Sequence, residues 1–221
     1  MSEMLSATFI TVFIATVIAQ AMPLMLAAVG ETIGEQAGIL NLGIEGVMLI
    51  GAYTGFVVTL MTGSFWIGML AGAIGGVVAN AAMLVLNVWL GLNQIVIGLA
   101  ITLIGEGITS VLYLQNYTSS PASLGSQPRM PIPGLSDIPV IGPAVFRQSG
   151  IFWLAIVLIL VLVVALARTS WGLSTRSAGQ KPSSLDAAGG SVMRTRSTAV
   201  VVSGVLVGLG GAYLALLTTA T

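Results

Sequence analysis

The chain has 221 residues, 6% charged and 56% hydrophobic, with seven cations balancing seven anions and a mean hydropathy of +1.04. A soluble domain carries about 25% charged residues, so water is excluded as the solvent for most of this surface. There is no Cys and no His, which removes the usual donors for zinc, thiol, haem and imidazole chemistry. The balanced charge offers no basic patch for nucleic acid.

The apolar runs reach the roughly 20 residues that a helix needs to cross a bilayer. None alternates with period two, so helices are the expected spanning element and an outer-membrane barrel is not. The expected fold is therefore all-α, a polytopic transmembrane helix bundle forming a single domain over residues 1–221, with about six spans. The first span is expected over residues 9–29, with Pro23 inside it. It lacks a positively charged leader and a small-residue cleavage site, which reads as a retained helix rather than a signal peptide.

Residues 30–45, GETIGEQAGILNLGIE, hold three of the seven acids and four glycines. They are too polar for a lipid-facing helix and too apolar for a free loop. A break in the helical path at membrane depth is expected here, packed inside protein or lining water. The second span is expected over 46–61, followed by a tight turn at Thr62, Gly63 and Ser64. The third, over 65–90, carries Gly68, Gly72 and Gly76 at every fourth position, a flat face for close helix packing.

The fourth span is expected over 94–114. Residues 115–150 form a long loop with Pro121, Pro128, Pro131, Pro133, Pro139 and Pro143, a density that rules out a continuous helix. The fifth span follows over 151–167 and the sixth over 198–217, the latter with Gly204 and Gly208 on a second small-residue face.

Five of the seven cations, Arg168, Arg176, Lys181, Arg194 and Arg196, fall between these last two spans. The positive-inside bias places this 168–197 loop in the cytoplasm, the Pro-rich loop outside and the N-terminus outside. Within it Pro182 suits a first helical turn, Ser183 to Ala188 suffice for about two turns, and Gly189 and Gly190 end them. A helix this short is marginal alone and calls for a docking surface. The alternative is an ordinary basic loop that only sets topology.

Several stretches resemble one family. Trp171-Gly172-Leu173, Arg176, Ala178-Gly179, Pro182 and Asp186-Ala187-Ala188-Gly189 are similar to the coupling loop of ABC importer permeases serving nucleosides, simple sugars and branched-chain amino acids. The stretch from Gly34 to Ala52 resembles the same family more closely, as do Asn93 to Leu99, Pro131 to Leu135 and Leu206 to Leu214. The nucleoside (guanosine-type, basic membrane protein system) permeases are the nearest in pattern. The sequence departs from the pattern at Gln180, where an acid is common, at Gly190, where a branched apolar residue is common, and near Ser174, where basic residues are common.

The resemblance implies a non-catalytic, multi-pass subunit of a bacterial inner membrane. Its partners would be a cytoplasmic ABC ATPase, a second permease subunit (homo- or heterodimeric), an external substrate-binding lipoprotein and the membrane lipid, and its cargo a small polar solute. Arg176, Gly179, Lys181, Pro182, Asp186 and Gly189 would form the ATPase coupling site. No cofactor or metal is implied, and the chain holds no Gly-x-x-x-x-Gly-Lys-Ser/Thr loop for ATP. Relatives continue through several further spans beyond the position of Thr221, so a C-terminally truncated permease is expected.

Candidates for the solute path are the polar groups near or within spans: Asn41, Glu45, Asn93, Gln94 and Glu106. The plainer reading makes the amides helix-to-helix ties and the acids interface or cap residues. Glu106 is the hardest to place that way, because it lies about twelve residues, or on the order of 18 Å, into its span. The functional alternative to an importer subunit is a stand-alone channel or secondary carrier that uses Glu31, Glu35 and Glu106 as an ion relay. Tyr53, Trp66, Trp89, Tyr113 and Trp153 are expected as interfacial anchors.

Overall fold

The computed structural model describes residues 7–117, 124, 130–136, 138–139 and 141–218. In chain order the helices are α1 (Ala7–Gln36), α2 (Ile44–Thr62), α3 (Phe65–Met83, prolonged by a π-helical turn at Leu84–Trp89), α4 (Gln94–Tyr117), α5 (Ile141–Phe146), α6 (Gly150–Arg168), α7 (Ser170–Gln180), α8 (Pro182–Ala187) and α9 (Val192–Thr218). Six of them, α1, α2, α3 with its π turn, α4, α6 and α9, are long and apolar enough to cross a membrane. The fold is the expected all-α bundle. Pro121, Pro128 and Arg129 of the Pro-rich loop lie outside the described residues.

The bundle is built around α9. Helices α1, α2 and α3 all pack on it, and most of its length is buried, in contrast to the other spans. Between lipid-embedded helices there is little hydrophobic driving force, so close van der Waals fit decides which faces meet. The glycine stripes supply that fit. A Cβ at Gly51 would lie 2.6 Å from the Gly208 carbonyl oxygen, and one at Gly208 would lie 2.7 Å from Gly76 Cα and collide with the Gly72 carbonyl. The two small-residue faces legible in the sequence are thus one contact, with α2 and α3 pressed onto the same stretch of α9. Helix α2 runs parallel to α9, while α1 and α3 run against it, as the pairs Gly51 with Gly208, Gly55 with Ala212, Pro23 with Gly210, Gly30 with Leu206, Gly72 with Ala212 and Gly76 with Gly204 require.

Helix α4 sits at the margin. It packs chiefly on α2, where Gly105 and Gly46 meet backbone to backbone. Helix α6 is covered on one side only, and Leu154, Val157, Leu160, Val161 and Val164 leave its other side an unbroken aliphatic surface.

The break between the first two spans is shorter than residues 30–45. Helix α1 continues through Glu31 and Glu35 to Gln36 and reaches about 45 Å in length. It then stops in a Schellman motif: Gly38 adopts φ +82°, Gly38 N–H donates to the Glu35 carbonyl, and Ile39 N–H donates to the Gly34 carbonyl. Residues 37–43 turn the chain back into α2 with alternate residues inside: Ala37, Ile39, Asn41 and Gly43 are buried, while Gly38, Leu40 and Leu42 are exposed. The sequence places the break too early because the two acids lower the hydropathy of a turn whose backbone is still helical. The chain enters and leaves the break at the same end of the bundle, so the alternation of spans is preserved.

Helical structure also extends further into both long connections than the sequence suggests. Helix α4 runs to Tyr117, and α5 forms within the Pro-rich stretch. The 168–197 loop is mostly helical, as α7, α8 and the first turn of α9.

Candidate functional site: a docking loop joined to the helix break

Helix α7 leaves α6 through a tight corner. The Thr169 side chain caps it by accepting from Gly172 N–H at 3.4 Å, and a Cβ at Gly172 would run into the Leu166 backbone. Arg176 then folds back over this corner. Its guanidinium donates to the Leu166 carbonyl at 2.6 Å and to the Gly172 carbonyl at 3.3 Å. Both are carbonyls near the corner, and a cation beside the end of α6 also complements its dipole. Arg176 therefore holds α7 in place rather than presenting its charge outward.

Gly179 has a similar inward role. A Cβ there would lie 2.9 Å from Gly38 N and would collide with the Gln36 carbonyl. The last turn of α7 thus touches the helix break directly, backbone against backbone. Arg196, on the first turns of α9, closes the junction from the other side. Its Nε donates to the Ala37 carbonyl at 3.1 Å and its Nη2 to the Ala178 carbonyl at 3.2 Å. One guanidinium ties α7, the break and α9 together. The sequence offered no signal for this role, since Arg196 is one of five cations in the stretch and its partners are 18 and 159 residues away.

Helix α8 stands apart from this fixed base. Pro182 occupies its first turn, and Leu185 alone of its residues is buried. Its end is a second Schellman motif, with Gly189 at φ +80°, Gly189 N–H on the Asp186 carbonyl and Gly190 N–H on the Leu185 carbonyl. Leu185 fills the space where a side chain at position 190 would go, 2.5 Å from a Cβ built there. Lys181, Asp186 and Gly189 are exposed. The six coupling candidates therefore divide. Arg176 and Gly179 fasten the loop to the bundle, Pro182 starts α8, and Lys181, Asp186 and Gly189 face outward.

The path candidates divide in the same manner. Asn41 is 4% exposed and fully engaged: its Nδ2 donates to Asn80 Oδ1 at 2.9 Å, its Oδ1 accepts from Gly43 N–H at 2.9 Å, and its own N–H donates to Glu31 Oε1 at 2.8 Å. Asn80 passes the tie onward, with Nδ2 donating to the Val200 carbonyl at 2.8 Å. These bonds link α1, the break, α3 and α9. Gln94 Oε1 accepts from Leu40 N–H at 3.1 Å, adding α4 to the set, and Asn93 Oδ1 accepts from Ile95 N–H at 2.9 Å at the start of α4. Glu45 in the first turn of α2 and Glu106 in mid-α4 are exposed on the isolated chain. Gly107, beside Glu106, has open space around it, so the described residues bring no helix against this flank of α4.

Six candidate spans, a buried polar tie around a broken helix and a short exposed helix at one end define a polytopic membrane protein. The comparisons make the class specific. Residues 13–221 match the family described as branched-chain amino acid transport system, permease component. The chain belongs to that family. It is 37% identical over 195 residues to a putative glucose ABC transporter permease of Haloferax volcanii, an alignment covering 87% of this chain and 59% of that protein. It is 34% identical over 215 residues to a nucleoside ABC transporter permease of Lactococcus lactis subsp. cremoris, covering 92% of this chain and 67% of the relative. It is 31% identical over 217 residues to a guanosine ABC transporter permease of Bacillus subtilis, covering 93% and 67%. The chain thus spans less than two thirds of the first of these proteins and about two thirds of the other two. No solved structure matches it.

Proposed function

We propose that this chain is the transmembrane permease subunit of an ATP-driven ABC importer that moves nucleosides or related small polar solutes inward across the plasma membrane. The observation that carries this reading is the mechanical continuity at one end of the bundle. An exposed short helix, α8, follows directly on α7, which Arg176 folds onto the end of α6 and which Gly179 and Arg196 lock to the helix break. In this reading a force applied to α8 by a cytoplasmic partner reaches the break through Lys181 and α7. Rigid-body rocking of the spans would follow, as alternating access requires. In this reading the α7–α8 end faces the cytoplasm, α8 seats in a groove of a separate ATPase, a second permease subunit completes the path, and an external lipoprotein delivers the solute. The names of the relatives, which mention glucose, nucleoside and guanosine, support a neutral polar cargo.

The stand-alone carrier is the competing reading. It needs Glu31, Glu35 and Glu106 to act in series, yet Glu31 is engaged by the Asn41 N–H at the end of α1, and Glu106 stands on the outer flank of α4. The described residues connect the two by no hydrogen-bonded chain. Co-purification with the ATPase subunit separates the readings. Asp186→Lys or deletion of Pro182–Gly189 is expected to abolish ATPase capture and uptake together. Uptake that survives both changes, and survives ATP depletion, would refute the importer assignment.

A further inference from the structure

Helix α4 carries an exposed polar stripe in the middle of an apolar span. Glu106, Ser110 and Tyr113 follow one another at helical spacing on one face, and all three are exposed. An ionised carboxylate directed at the hydrocarbon core costs about 2.5–3.5 kcal/mol even on the insertion scales. Helix α6 shows what a lipid-facing surface in this chain looks like, and before its terminal Arg168 its exposed positions are all aliphatic. The α4 stripe is chemically unlike it.

Beside the stripe, α2 and α4, with Ala215 of α9, border an open, largely apolar cleft of about 290 Å³. Tyr53 and Phe56 line it from α2, and Thr109, Ser110 and Tyr113 from α4. The aromatic wall is braced. Phe56 lies 6.1 Å from Tyr113 and 5.3 Å edge-on from Tyr117, and the two tyrosines are 5.7 Å apart. The Thr109 hydroxyl is turned back onto the Gly105 carbonyl at 2.7 Å, which leaves Ser110 as the hydroxyl free to meet a ligand from α4. Glu106 lies one turn from Ser110 along the same face.

We infer that this cleft between α2 and α4 is a solute-binding subsite, reached from water, for a neutral, hydroxylated ring compound. Flat aromatic faces stack on a ring, and a serine hydroxyl both donates and accepts. The volume lies at the small end of ligand pockets, which suits a solute of one or two rings and excludes a peptide. Nucleosides and aldoses share this chemistry. The inference rests on the reading of the chain as a permease subunit, and it adds a location and a mode of recognition.

The absence of cysteine from the chain makes the test direct. Ser110→Cys is placed in the full-length chain within the complete transporter, in membrane vesicles, and treated with a charged methanethiosulfonate reagent. Val157→Cys on the aliphatic face of α6 is the lipid-facing reference. Ser110→Cys is expected to be modified while Val157→Cys is not, and the solute that the transporter takes up, guanosine or glucose, is expected to slow the modification. Which of the two protects identifies the source of the ring. Inertness of Ser110→Cys equal to that of Val157→Cys overturns the inference, and so does modification that neither solute slows. As an independent readout, Tyr113→Ala is expected to raise the KM of uptake about two- to tenfold, the range expected for loss of an aromatic contact, with Tyr113→Phe near wild type. A KM unchanged in Tyr113→Ala counts against the site. Modification of Ser110→Cys without ATP-dependent uptake of either solute would sink the importer reading and leave the cleft a wet one. Uptake with an inert Ser110→Cys would sink the cleft alone.

Discussion

The tie from Asn41 through Asn80 to Val200 is a quantitative test of how the break is held. Asn80 is 2% exposed and sits where α3 and α9 are in close contact, with its Cβ 3.0 Å from a Cβ built at Gly204. Asn80→Leu keeps the volume roughly constant and removes two hydrogen bonds, one accepted from Asn41 and one donated to the Val200 carbonyl. Side-chain hydrogen bonds between membrane helices average about 0.6 kcal/mol each, so the two account for about 1 kcal/mol. The Val200 carbonyl lies inside α9 and keeps its helical partner. The Asn41 Nδ2 does not, and an unsatisfied buried donor costs about 1–3 kcal/mol. The expected destabilisation is therefore about 2–4 kcal/mol, most of it from the orphaned Asn41 amide. Equilibrium unfolding in mixed micelles, followed by tryptophan fluorescence, measures it. The double mutant with Asn41→Leu is the sharper experiment, because removing both partners leaves no orphan between them. Its cost is expected to fall short of the sum of the single mutants by about 1 kcal/mol or more. Additive costs, or an Asn80→Leu loss below about 0.5 kcal/mol, would show that the two amides are not bonded partners and that the break is held by packing alone.

Four other variants follow from the same geometry. Gly208→Ala drives a Cβ into the Gly72 carbonyl and is expected to cost about 1–3 kcal/mol or more as overpacking. Gly107→Ala, with nothing within 4 Å, is expected to be neutral or to gain up to about 1 kcal/mol of helix propensity; equal effects in the same unfolding assay would refute the placement of α9 between α2 and α3. Arg196→Ala removes both bonds from α9 to the break and to α7, and is expected to leave ATPase binding intact while uptake per ATP hydrolysed falls. Retained coupling in Arg196→Ala would mean that force takes another route. Gly189→Ala meets no neighbour but must adopt φ +80°, at a cost of about 1–2 kcal/mol; it is expected to speed amide exchange across Pro182–Ala187, and an unchanged exchange rate would show that the Schellman turn does not hold α8.

The sequence alone was enough to place this chain in a membrane, because a near absence of charge over long apolar runs leaves helices as the only way to satisfy the backbone. It also marked the glycine stripes, since close packing leaves a repeat at every fourth residue, and the family motifs that fix the class. Gly72, Gly76 and Gly208 could be named as packing residues without knowing which helix meets which. The tertiary structure decided the pairings, and with them the meaning of the polar residues. Asn41 and Gln94 had the same composition signal as a solute-contacting amide; in the fold Asn41 is buried against Asn80 and Glu31, and the half-buried Gln94 accepts from the Leu40 N–H. Arg176 and Arg196 were indistinguishable in the sequence from the other cations of a basic loop. Each acquired a specific role only because folding brought distant carbonyls within reach of a guanidinium. Local propensity and hydropathy are properties of neighbours along the chain, whereas a hydrogen bond across 120 residues, such as that from Asn80 to Val200, exists only after the helices have chosen their faces.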